Sequence, residues 1–112
     1  MEKKNFSYSE IDDSMIVSNK QENEIVKNNF EVGDIIFSLT GRGKIVSIEI
    51  REFSSFLESC NIDPKIIKMM NQAELKVIPK KDALFLILKI GFLEGQIALS
   101  KNIPLVMPLI IQ

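Results

Sequence analysis

The stretch Asp34-Ile35-Ile36-Phe37-Ser38-Leu39-Thr40-Gly41-Arg42-Gly43-Lys44-Ile45-Val46-Ser47-Ile48-Glu49-Ile50 decides the fold class. Successive side chains leave a strand on opposite sides, so apolar residues at every second position mark a strand with one face against a core. Ile35, Phe37 and Leu39 form one such set, and Val46, Ile48 and Ile50 form another. Between them, Gly41 and Gly43 are expected to supply the positive φ values that a tight connection needs and a Cβ resists. The stretch reads as a β-hairpin in a β-rich protein. It carries no catalytic chemistry.

Working outward to the N-terminal side, Phe6 to Tyr8 and Met15 to Val17 read as two short strands. The acidic turn Ser9-Glu10-Ile11-Asp12-Asp13-Ser14 joins them. Asn19 to Asn23 is a polar loop, and Glu24 to Lys27 reads as a further short strand. Asn28-Asn29 suggests a turn, after which Phe30 and Val32 lead through Gly33 into the hairpin.

Beyond Ile50 the apolar spacing becomes helical. Ser55-Phe56-Leu57-Glu58 fits a capping box, which predicts a short helix near 55–60. Asp63 suits an N-cap and Pro64 the first helical position, and Ile66, Ile67 and Met70 share a face, predicting a second helix over 64–72. Alternation then returns in Leu75 and Val77, and Lys80-Lys81-Asp82 makes a turn. Ala83 to Phe92 is apolar on both faces, with Leu84, Leu86, Leu88 and Ile90 on one and Phe85 and Ile87 on the other. Such a strand is central or lies in an interface. Glu94-Gly95 turns it back into Gln96 to Ser100, and the tail from Ile103 to Ile111, with Pro104 and Pro108, belongs at a sheet edge. The expected architecture is α+β and mostly β, one domain over residues 1–112. It is a twisted antiparallel sheet built of hairpins, with one or two short helices over one face.

Composition narrows the chemistry. A chain of 112 residues with 46% hydrophobic and 26% charged side chains can bury a modest core without disulfides or a metal. Cys60 is the single cysteine, which suits a reducing cytoplasm and a small apolar role beside a helix. The absence of histidine removes the His-assisted nucleophile, the imidazole base and the usual zinc ligands together. The polar start and the lack of an apolar run of roughly 18 residues argue against a signal peptide or a membrane span. A soluble cytoplasmic protein is expected. Charge is uneven: residues 1–63 hold 12 acidic and 7 basic side chains, and residues 64–112 hold 3 and 7. Lysines solvated at turns and edges account for the basic half, and lysine there discourages unwanted strand pairing.

Residues 6–54 carry a resemblance. Tyr8, the later Asp13 and the strand Met15-Ile16-Val17 form one motif. Gly43-Lys44-Ile45-Val46-Ser47-Ile48-Glu49-Ile50 followed by Ser54 forms another. Together they resemble the domain of unknown function 2283 family, small uncharacterised bacterial and archaeal proteins. Ser9 stands where that family usually has aspartate, Ser38 and Thr40 replace an acidic pair, and Ser47 replaces a glycine. The second half, from about residue 73, matches only in general pattern. The resemblance implies no agreed activity. Toxin-like neighbours thought to accompany some relatives imply an antitoxin-like role by analogy.

Glu10, Asp12 and Asp13 form a tight carboxylate cluster of the kind that hard cations favour. The glycine and distant bidentate glutamate of an EF-hand loop are missing, so a solvated turn with local backbone capping is expected, and no metal. Arg42 and Lys44 at the hairpin tip and Lys80 and Lys81 at another turn offer phosphate contacts. No dense basic stripe or base-stacking motif accompanies them, which disfavours nucleic acid. Gly41-Arg42-Gly43-Lys44 leads into a strand, so it lacks the helix amides of a phosphate cradle. Phe53, Phe56, Met69 and Met70 are expected in the core rather than in a partner groove.

No catalytic residue, cofactor site or metal site is assigned. The expected function is non-catalytic, through self-association or a protein partner. A homodimer through the 83–111 half is expected, because Ala83 to Phe92 and Ile103 to Ile111 offer more apolar surface than one short chain can cover. The alternatives are a nucleic-acid-associated accessory protein and a small-ligand or metal-dependent enzyme.

Overall fold

The computed structural model describes residues 5–81 and 83–108. Along the chain run β1 (Phe6–Ser9), β2 (Ser14–Ser18), β3 (Val26–Val32), β4 (Ile35–Thr40), β5 (Ile45–Ile50) and α1 (Phe53–Ser59). A 3-10 helix (Pro64–Met69), β6 (Met70–Pro79), β7 (Ala83–Glu94) and β8 (Ile97–Pro108) follow. The protein is α+β and mostly β. Every strand pairing is antiparallel. The strands form two sheets rather than one, with orders β1-β2-β5-β4-β3 and β6-β7-β8.

The hairpin over residues 34–50 is β4 and β5, at the middle of the first sheet. Phe37 lies opposite Ile48 and Ile35 opposite Ile50, while β2 adds Val17 opposite Ile48 and Met15 opposite Ile50. These residues form the inner face of the first sheet. In the second sheet Leu75, Leu88 and Ile103 are aligned across three strands, as are Val77, Leu86 and Leu105. Both inner faces, with Phe53 and Leu57 of α1 and Ile66 of the 3-10 helix, meet in one cluster. Met15, Ile50, Phe53, Leu57, Leu86, Leu88 and Ile90 lose all exposure to water in it. Burial of side chains this size contributes roughly 1.5–3 kcal/mol each, which is what holds two small sheets together.

Several expectations are corrected. Asn28-Asn29 is not a turn: β3 runs through both, with an irregularity between Val26 and Asn28. The reversal comes later, at Gly33, whose φ of +58° suits the first position of a two-residue hairpin turn. Asn29 tolerates its strand position because its side-chain oxygen accepts a hydrogen bond from Ser38 Oγ at 3.0 Å. At the β4–β5 turn only Gly43 takes positive φ, at +82°. Gly41 does not.

The first helix begins at Phe53, two residues before the expected start, and no side chain of its own sequence caps it. Ser55 lies inside it, so the capping box does not form. The second helix begins as expected, with Asp63 accepting the Lys65 amide at 2.9 Å and Pro64 at the first position. It is a 3-10 helix and stops at Met69, because Met70 already belongs to β6.

Strand β7 is central in the second sheet. Its Leu86–Ile90 row is closed by the protein's own core, leaving Phe85 38% exposed on the opposite face. Strand β8 is an edge strand, with Pro104 opposite Ile87 and Pro108 opposite Ala83. The rest of the tail, Leu109 to Ile111, lies outside the described residues. Among the described residues, no helix is long and apolar enough to cross a membrane.

Candidate functional site

The polar side chains that converge most closely belong to Tyr8, Asp13 and Ser54. Tyr8 lies on β1, Asp13 ends the turn into β2, and Ser54 is the second residue of α1. The Tyr8 hydroxyl donates to Asp13 Oδ1 at 2.5 Å, and Ser54 Oγ donates to the same oxygen at 2.9 Å. The Ser54 amide reaches both carboxylate oxygens at 3.2 Å. The Asp13 carbonyl also accepts the Phe53 amide at 2.9 Å.

Local backbone explains why a distant residue does this work. Glu52, at the N-cap position, is left-handed with φ +51° and bonds no free helix amide through its side chain. The opening amides of a helix need an acceptor. Asp13, itself left-handed at φ +51°, presents its carbonyl and its carboxylate to two of them. The Tyr8 ring packs 6.1 Å from that of Phe53, and the Phe53 ring stacks 6.0 Å from that of Phe56. An aromatic wall thus stands beside the polar contact.

Electrostatics follow the geometry. Burial by itself pushes the Asp13 carboxyl up, but hydrogen bonds from Tyr8 and Ser54 outweigh it and hold Asp13 below its ordinary value. The Tyr8 hydroxyl is raised, first by its bond to Asp13 and then by burial. A carboxylate so stabilised is a weak base. The arrangement caps a helix and ties the first hairpin to it.

The other expected residues fall apart from this group. Asp12 turns toward Ser9, whose hydroxyl donates to Asp12 Oδ2 at 3.3 Å, and Glu10 is exposed. Among the described residues, no three His, Cys, Asp or Glu side chains are placed to hold a metal ion. Lys44 pairs with Glu24 at 2.7 Å, and this bond holds the Glu24 carboxyl below its ordinary value. Arg42, Lys44 and Lys27 line an open depression of about 590 Å³ with Gly41 and Thr40. Lys80 and Lys81 sit at the β6–β7 turn of the other sheet. Phe53 and Met70 are core residues, with Phe56 and Met69 half-buried against them, so they form no groove. Cys60 is half-buried beside the same core.

Three contacts, made by two residues, had no signal in the sequence. Asn19, read as part of a polar loop, donates its side-chain amide to the Leu75 carbonyl and links the two sheets. Arg51 donates to the Gly33 carbonyl at 3.2 Å and pairs with Glu31 at 2.9 Å, holding the β3–β4 turn. Ser54 did have a signal, as part of the motif that carries the family resemblance.

The fold and this site define a two-sheet α+β protein in which a Tyr8–Asp13–Ser54 cluster caps α1. Compared with family models, curated proteins and solved structures, the chain shows no match.

Proposed function

We propose that this protein is a non-catalytic module that acts through self-association or a protein partner. The observation that carries the reading is the outer face of the second sheet. Phe85 is 38% exposed there, with Ile78 and Ile87 half-buried and Pro104 exposed beside them. Exposed apolar residues gathered on one face mark an interaction surface more often than scattered ones do. The proposed homodimer contact lies on the 83–111 half, on the face of β7 that the core does not use.

Kinship with the domain of unknown function 2283 family belongs to the same proposal. Its support is the meeting of Tyr8, Asp13 and Ser54, three residues of the motifs that carry the resemblance. A cytoplasmic location is proposed with it, on the single free cysteine.

Light scattering at micromolar concentration tests the dimer. The expected result is a mass above that of the monomer, which Phe85→Glu lowers and Lys81→Glu leaves alone. A monomer mass for the parent rejects self-association.

A further inference from the structure

Four strands end the two sheets: β1, β3, β6 and β8. Strand β1 has four residues. On β6 the Leu75 carbonyl is engaged by Asn19. Strand β8 carries Pro104 and Pro108, which have no N–H to offer a further strand. Strand β3 differs from all three, with seven residues, each exposed, and no proline.

Its backbone is also set for pairing. Val32 opposes Ile35 across the two-residue turn, so Val32, Phe30 and Asn28 bond to β4. The parity agrees with Thr40 of β4, whose amide bonds on the other side to the Lys44 carbonyl at 2.9 Å. Asn29 and Glu31 therefore turn their N–H and C=O groups to the open edge. An edge of this kind is a template for another strand.

The residues of β3 indicate which strand. We propose that β3 pairs antiparallel with β3 of a second copy of this chain, about a twofold axis at Asn29. Val26-Lys27-Asn28-Asn29-Phe30-Glu31-Val32 is complementary to itself in that register. Lys27 faces Glu31 of the second copy, Glu31 faces its Lys27, and the terminal valines face each other. Opposite charges directly across an antiparallel pair stabilise it, and like charges oppose it.

Phe30 and Val32, 43% and 49% exposed, continue the sheet face that carries Phe37 and Ile35. Pairing makes the two Phe30 side chains diagonal neighbours, about 7–8 Å apart and within reach of aromatic rings. Lysine on an edge strand guards against promiscuous pairing. Here Lys27 admits a strand with an acid in the matching position and penalises others. Glu31 already holds Arg51 through Oε1, which leaves Oε2 for the second copy. The irregularity between Val26 and Asn28 belongs to the pairing with β4, which is regular over residues 28–32, and it adds local twist at Lys27.

This contact rests on the self-association reading but lies on the sheet that does not carry Phe85. Sedimentation velocity over a dilution series tests it with the parent, Lys27→Glu, Glu31→Lys, their equimolar mixture and Phe85→Glu. Each single charge reversal is expected to weaken self-association about tenfold or more, since two symmetric pairs turn from attraction to repulsion. The mixture is expected to recover it, because each variant then meets its complement. If both contacts are occupied, the parent exceeds a dimer and either reversal brings it down to one. A monomeric parent overturns the proposal, as does a mixture that fails to recover. Unchanged association of both reversals, with loss in Phe85→Glu, overturns it and leaves the second-sheet contact standing.

Discussion

The Asp13 carboxylate caps the helix that begins 40 residues later at Phe53, accepting the Ser54 amide with both oxygens at 3.2 Å. The same group receives the Tyr8 hydroxyl, so one side chain fastens β1, the β1–β2 turn and α1. Replacing it by alanine leaves the start of α1 without its acceptor. Asp13→Ala is expected to cost about 1–2 kcal/mol, in the range of lost helix caps. Tyr8→Phe is expected to cost about 1 kcal/mol, the net value of one hydrogen bond. Urea denaturation at neutral pH measures both. An Asp13→Ala variant as stable as the parent contradicts the capping role.

The same contact gives stability two pH limbs. Asp13 has a folded value depressed below the ordinary 3.8, so its contribution is present above that value and lost as pH falls through the folded one. Tyr8 has a folded value raised above the ordinary 10.0, so its contribution is present below pH 10 and lost as pH rises beyond it. Stability measured against pH should show a shallower acid limb in Asp13→Asn and a shallower alkaline limb in Tyr8→Phe. Limbs identical to those of the parent would rule out the linkage.

The two glycines of the β4–β5 turn should behave differently. Gly43 sits at φ +82°, where alanine is expected to cost about 1 kcal/mol or more. At Gly41 an added Cβ meets only Lys27 Cγ at 3.5 Å, an ordinary contact, so Gly41→Ala should be near neutral. Parallel denaturation curves compare them. Equal losses at both positions would contradict the observed turn.

The two faces of β7 should separate stability from association. Leu86 has no exposure, and Leu86→Ala is expected to cost about 2–5 kcal/mol through the cavity it leaves. Phe85→Ala should cost the monomer much less and act on association instead. Thermal melts combined with a mass measurement distinguish the two effects. A large stability loss in Phe85→Ala with unchanged mass would place that face in the core.

The turn carboxylates should not respond to cations, since Asp13 is committed to α1 and Asp12 to Ser9. Thermal stability of the parent is expected to be the same with and without millimolar calcium or magnesium. A calcium-dependent rise that Asp12→Asn removes would show a site where none is expected.

The β-rich class, the β4–β5 hairpin, the Asp63-Pro64 helix start and the edge position of the proline tail were legible in the sequence. Each rests on interactions within a few residues, namely side-chain alternation, a local cap and the missing proline N–H. Ser55 and Glu58 fit a capping box by the same local logic, yet Ser55 lies inside α1 and no such box forms. The acceptor that α1 uses comes from a remote turn, and nothing in the helix's own sequence announces it. Asn28-Asn29 failed for a related reason, since pairing with β4 outweighed a local turn preference. The division into two sheets, the link from Asn19 to Leu75 and the choice of which β7 face to bury were decided only in three dimensions. Alternation states that a strand has two faces, but which face meets a core depends on what the rest of the chain brings against it.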